Sequence, residues 1–230
     1  RSAASPLRRT RSTTRRFPRR SHRVELLIKY IGSKRRLVPL LTDLFVRSGA
    51  SSALDMFSGT TRVAQAFKEQ GAHVTAVDIT RYGEVIAGCY VATDSDLVDH
   101  ARLTAEVERL NSLAGRAGYF TETFCCDARY VQPFNGERVD AIRNDLESRH
   151  DDPLFPVLLT SLIEATDRVD STTGVQMAYL KNWAPRSHNH LDLRVPHLLP
   201  GPGAVVRGNA VDLAAGLGPF DLAYLDPPYN

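Results

Sequence analysis

At 230 residues, with 43% apolar and 24% charged side chains, the chain has the make-up of one globular domain, alone or carrying an insertion. No stretch approaches the roughly 20 apolar residues of a membrane span, so no membrane-spanning helix is expected. The three cysteines, Cys89, Cys125 and Cys126, have no metal-ligand spacing and read as free thiols of a reducing compartment, which places the chain in the cytoplasm.

The formal charge of +3 conceals an asymmetry. Residues 1–24 hold nine arginines and no acid, so the remainder carries −6, from +3 less nine. A segment of that composition cannot bury a core and is expected to be disordered in isolation. Three uses stay open for it: an arm that neutralises nucleic-acid phosphates, a segment like an organellar transit peptide, or upstream sequence with no role. The chain does not begin with Met, and its first is Met56.

Val24 to Tyr30 is a short apolar entry. Ser33 reads as the N-cap of a helix over 34–46, with Leu37, Leu40, Leu41 and Leu44 on one face and Pro39 as a kink or a later start. Ala53 to Phe57 reads as a short buried strand. A Ser-Gly-Thr-Thr turn follows, then a helix from Arg62 to Gln70 closed by Gly71, then a strand from His73 to Asp78. Strand, turn, helix, strand is the beginning of a doubly wound α/β sheet.

The pattern then changes. Helices are predicted over 94–114, 137–149 and 153–169, and a Pro- and His-rich loop over 184–203. Strand signals return at Ala204 to Val206 and at Asp221 to Leu225, with a short helical turn from Val211 to Leu217 between them. The division that follows is a tail (1–24), a cofactor-binding half (25–81), a helical insertion (82–203) and a return to the sheet (204–230). The fold class is α/β, a Rossmann-like sheet with a mostly helical insertion.

Three clusters carry chemistry. The first is Asp55-Met56-Phe57-Ser58-Gly59-Thr60-Thr61 at the strand-to-helix turn, where Gly59 admits a ligand close to the backbone. Asp78 ends the next strand, 19 residues after that glycine. From there an acid reaches the two ribose hydroxyls of an adenosine cofactor. A single glycine and an acid within the strand disfavour a pyrophosphate. They suit a cationic, phosphate-free nucleoside, so S-adenosylmethionine is expected over NAD.

The second cluster, Lys29-Tyr30-Ile31-Gly32-Ser33-Lys34, sets an aromatic ring and an amine about one helical turn apart. The third pairs Gly208-Asn209-Ala210 with Asp226-Pro227-Pro228-Tyr229, 17 residues beyond Asn209. A carboxylate, a stiff carbonyl and an aromatic plane at the open end of a strand are what modification of a nucleobase requires. His188-Asn189-His190 has no third ligand nearby and reads as a loop without metal.

Taken in order, residues 29–34, 55–63, 78 and 226–229 resemble the Dam-type class of DNA adenine-N6 methyltransferases. Residues 158–181 are also similar to members of that class, and the similarity covers about 29–230. The resemblance implies that Tyr30 and Lys34 lie against the cofactor, that Asp55, Phe57 and Gly59 form its floor, and that Asp78 takes the ribose. It implies that Asn209, where the class usually has Asp, accepts from the cofactor adenine. The catalytic group is then Asp226, Pro227, Pro228 and Tyr229. Asp226 and the Pro227 carbonyl take the two N–H groups of the target amine, and Tyr229 stacks on a base flipped out of double-stranded DNA. Arg143, Arg149, Arg168, Lys181, Arg186 and Arg194 are candidate phosphate contacts. No metal or membrane is expected, and the protein is expected to be a monomer.

Members of the class continue beyond the Asp-Pro-Pro-Tyr motif, so a fragment of a longer enzyme is expected, poorly stable and nearly inactive alone. The alternatives are a truncated, non-catalytic DNA-binding remnant and a methyltransferase acting on cytosine N4 or RNA.

Overall fold

The structure, a computed structural model, describes residues 34–173 and 182–228. Tyr30, Lys181, Tyr229 and the Arg-rich segment lie outside them.

A 3-10 turn, Lys34–Arg36, leads into α1 (Val38–Ser48). Pro39 stands in the first turn of α1, where its missing N–H is no loss, so the helix starts later than the sequence pattern suggests and has no kink. Gly49, at φ +71°, ends it. The apolar face also differs from expectation. Phe45 is buried and Leu41 packs beside it, while Leu37, Leu40 and Leu44 are exposed. α1 is apolar nearly all round, so periodicity alone misassigned its inner face. Phe45 stacks on Phe67 of α2 (Arg62–Lys68) at 4.7 Å, and that contact fixes α1.

Four parallel strands follow the order β3-β2-β1-β4: β1 (Ser52–Asp55), β2 (His73–Asp78), β3 (Gly203–Arg207) and β4 (Leu222–Tyr224). The fold is thus α/β with a parallel sheet. β1 and β2 are central and covered on both faces, so they read as near-continuous apolar runs. One face sets Ala53, Val74, Ala76 and Leu222 against α1 and α2. The other sets Leu54, Met56 and Val77 against Leu213 of α7 (Ala210–Leu213) and against Leu217 and Phe220.

Between β2 and β3 lie α3 (Arg81–Ala87), α4 (His100–Asn111), α5 (Pro133–Glu147) and α6 (Phe155–Arg168). Two π-helical turns, Gly88–Ala92 and Thr121–Asp127, were not legible in the sequence. These helices pack on their own apolar cluster, built around Leu103, Leu110, Ile142, Leu158 and Leu162. α4 is shorter than predicted because Asp99 caps it, accepting from the Arg102 amide at 2.9 Å. Residues 189–202 return to the sheet without regular structure. The Asn135 and Asn111 side chains each donate to and accept from this strap, at Asn189 and Leu191 and at Leu193, as a neighbouring strand would. Among the described residues no helix is long and apolar enough to cross a membrane.

Gly203 opens β3 where a Cβ would stand 2.2 Å from the Val91 carbonyl oxygen. Backbone on both sides cannot yield. Gly203→Ala is expected to cost about 2 kcal/mol or more, seen as a melting temperature lower by about 5 °C.

Candidate active site

The chain leaves β1 in one direction to build β2 and β3, then returns to place β4 on its other side. A crevice opens at such a reversal, beyond the carboxyl ends of the strands. Register sets its contents. Asp55 pairs across with Tyr224 and Ala76, so Asp78 and Asp226 each stand two residues further along neighbouring strands. The resulting cleft, of about 740 Å³, is lined by Lys34, Asp55, Phe57, Gly59, Asp78, Asn209, Asp226, Pro227 and Pro228, among others.

The turn above β1 is held by its own bonds. Gly59 and Thr61 both adopt left-handed backbone, at φ +48° and +59°. For threonine this costs about 1 kcal/mol. The Thr61 hydroxyl donates to the Thr60 carbonyl and accepts from the Gln65 amide at 2.8 Å each, which holds that conformation. The Ser58 amide donates to the Val77 carbonyl at 3.0 Å, tying the turn to β2.

Asp78 is held from three sides. Its carboxylate accepts from the Gly59 amide at 2.9 Å and from the Thr80 amide and hydroxyl at 2.8 and 2.7 Å. Gly83 lies beneath it, where a Cβ would come within 2.5 Å of the Asp78 carboxyl carbon. Asn209 caps α7, its side-chain oxygen accepting from the Val211 amide at 3.0 Å.

Asp55 is the most unusual group. One carboxylate oxygen accepts from the Ala64 amide at 3.2 Å. The other, Oδ1, is buried and has no hydrogen-bond partner among the described residues, and the same holds for the Ser58 hydroxyl. Burial pushes the Asp55 carboxyl up to about 7; the Ala64 N–H opposes the shift and the nearby Asp226 and Asp78 charges add to it. Lys34 forms an ion pair with Asp226. Its amine thus meets the carboxylate at the end of β4, a contact the sequence reading did not anticipate.

The chain matches the family description "D12 class N6 adenine-specific DNA methyltransferase" over residues 30–230. It belongs to that family. It is 30% identical over 219 residues to the type II methyltransferase M.NlaIII of Neisseria lactamica, covering 88% of this chain and 64% of that protein. It is 29% identical over 222 residues to the modification methylase StsI of Streptococcus sanguinis, covering 88% of this chain and 34% of the relative. With M.FokI of Planomicrobium okeanokoites the identity is 25% over 227 residues, again 88% of this chain and 34% of the relative. The chain therefore spans less than two thirds of one of these methylases and about a third of the other two. No solved structure matches it.

For a D12-family chain the insertion's arginines are a surprise. Arg143 pairs with Glu147, Arg186 with Asp170 and Arg194 with Asp192, and Arg168 donates to the Asp192 carbonyl. Arg149 and Arg109 share Glu106 and Asp145 across α4 and α5. These five candidate phosphate contacts are thus engaged within the fold. Acids far off in sequence supply several of the partners, which spacing does not reveal. The sequence reading gave no site role to Arg62, Ser58, Thr80 or Gly208, which line the cleft, although Ser58 and Gly208 stand within its clusters and Arg62 within the stretch 55–63. Thr80, outside the clusters, carried a signal of its own, since Asp followed two residues later by Thr is an Asx-type turn.

Proposed function

We propose that the protein bearing this chain transfers a methyl group from S-adenosylmethionine to the N6 amine of adenine in double-stranded DNA. The observation that carries this reading is the convergence of Asp55, Asp78 and Asp226 on one cleft of a D12-family chain. The unpartnered Asp55 Oδ1 fits the cofactor, because a buried acceptor at that level needs a cationic donor such as an ammonium group. Asp78, anchored by Gly59 and Thr80, would hold the ribose, and Phe57, Gly59 and Asn209 would line the rest. Tyr30 and Tyr229 keep the roles given by resemblance, against the cofactor and the target base. When bound, the cofactor supplies an electrophilic methyl group on a sulfonium sulfur.

The chain's own residues ready the acceptor. The lone pair of an exocyclic amine is delocalised into the purine, so the amine is a poor nucleophile. Asp226 accepts one N–H and the Pro227 carbonyl, stiffened by two consecutive prolines, accepts the other. The nitrogen then becomes tetrahedral and its pair localised. Lys34 forms its ion pair with Asp226 through one carboxylate oxygen, Oδ2. The nitrogen would gain the methyl carbon as that carbon's bond to sulfur breaks and its electron pair stays on sulfur, and the Asp226 carboxylate is the neighbouring acceptor for the proton the nitrogen sheds. The cleft admits a base only when it is flipped from the duplex, at a cost of a few kcal/mol.

Incubation of the full-length protein with methyl-labelled cofactor and unmethylated duplex tests the reading. Label is expected in N6-methyladenine after digestion to nucleosides. Label in cytosine, or in RNA but not DNA, would replace the substrate, and no transfer with intact DNA binding would favour a non-catalytic DNA-binding protein.

A further inference from the structure

We propose that Arg62 binds the carboxylate of the cofactor's amino-acid end and so, with Asp55, recognises a zwitterion. This deepens the reading of the cleft as a cofactor site and rests on it. Arg62 is the first residue of α2, half-buried, and lines the cleft. Its side chain makes no hydrogen bond or ion pair among the described residues. The anionic group whose field reaches it is Glu164, which is buried and accepts a hydrogen bond from the Tyr90 hydroxyl.

The charge arrangement leaves an anion little choice. Three carboxylates, Asp55, Asp78 and Asp226, line the cleft and repel a fourth. Two cations line it among the described residues, and Lys34 is committed to Asp226. Arg62 is the other. It stands two residues before Ala64, whose amide binds Asp55, and it lines the same cleft as Asp55. An α-amino acid carries its ammonium and carboxylate on a single carbon. A buried acceptor and a guanidinium with no bonded partner among the described residues, lining one cleft, suit that pair.

The test compares S-adenosylmethionine with its decarboxylated form, which keeps the sulfonium and the amine, by calorimetric titration of wild type, Arg62→Met and Arg62→Lys. Wild type is expected to prefer the carboxylate form by about 10- to 100-fold, the range of a hydrogen bond to a charged group. Arg62→Met should abolish that preference while binding the decarboxylated form as wild type does, which also reports an intact fold. Arg62→Lys should retain part of it. An undiminished preference in Arg62→Met overturns the assignment and leaves the cofactor site standing. So does weakened duplex binding without cofactor at unchanged preference, which would make Arg62 a phosphate contact. Binding of neither ligand by wild type overturns the cofactor reading itself, and this inference with it.

Discussion

Asp226→Ala in the full-length protein is expected to lower methyl transfer by about 10²–10³-fold, the loss typical of removing one preorganised polar group from a transition state. The loss should fall on kcat and leave cofactor affinity near that of wild type, because Asp226 acts on the target amine. The substitution also removes the Lys34 ion pair. Asp226→Asn separates the two effects. It keeps an acceptor oxygen but removes the charge, so it should retain more activity than alanine and less than wild type. Quench-flow measurement of a single turnover is the check. Equal rates for wild type and Asp226→Ala would remove the carboxylate from the chemistry.

Asp55→Asn should move stability and affinity in opposite directions. The Asp55 carboxyl, ordinarily near 3.8, is pushed up to about 7 in the fold by burial. The folded chain therefore holds a proton there that the unfolded chain has already released. Its contribution to stability is full below about pH 4 and is lost as pH rises to about 7, a swing on the order of 4 kcal/mol. Asn carries no such charge. In the ligand-free protein Asp55→Asn is expected to flatten the decline of melting temperature between about pH 4 and 7 and to raise it at pH 8. Cofactor binding should respond the other way. A cationic group at Oδ1 needs the ionised carboxylate, so wild-type affinity should rise about tenfold per pH unit up to about pH 7 and then level off. In Asp55→Asn it should be lower by about 10²-fold and lack that rise. Calorimetric melting and titration at several pH values measure both. A lower melting temperature at pH 8 together with unchanged affinity would contradict the assignment.

The opposed effects also say what kind of site this is. A well-packed fold has little use for a half-satisfied carboxylate at the end of a central strand, and on the proposed reading keeping one there is a cost that the cofactor's cation would offset. Asp78 shows the contrary case. It is just as central to the cleft but fully bonded to Gly59 and Thr80, so it is fixed before any ligand arrives.

These differences mark where the sequence was readable. The β1 turn, the spacing from Gly59 to Asp78 and the prolines after Asp226 are local patterns, and local patterns also determined the parallel sheet. The reversal that brings β4 beside β1 is not fixed by the chain order of those elements and is seen only in the strand pairing. What stayed hidden depends on distant partners. Leu41 faces inward rather than Leu40 because Phe67 receives Phe45, a contact across two elements. The arginines of the insertion look available until Glu106, Asp145 and Asp170 are seen beside them. Tyr90 and Glu164, buried and bonded to each other, are separated by 74 residues. Lys34 was assigned to the cofactor, and its ion pair with Asp226 at the far end of the chain has no sequence signature.

The central claim is that one cleft holds both the methyl donor and the amine that receives it. Its most direct measurement is a crystal structure of the full-length protein with sinefungin, a cofactor analogue bearing an amine in place of the methyl-sulfonium unit. The account predicts the analogue between Asp55 and Asp78, with that amine turned toward Asp226. Sinefungin seated elsewhere, in the aromatic groove lined by Tyr119, Phe124 and Tyr130 for example, would contradict it.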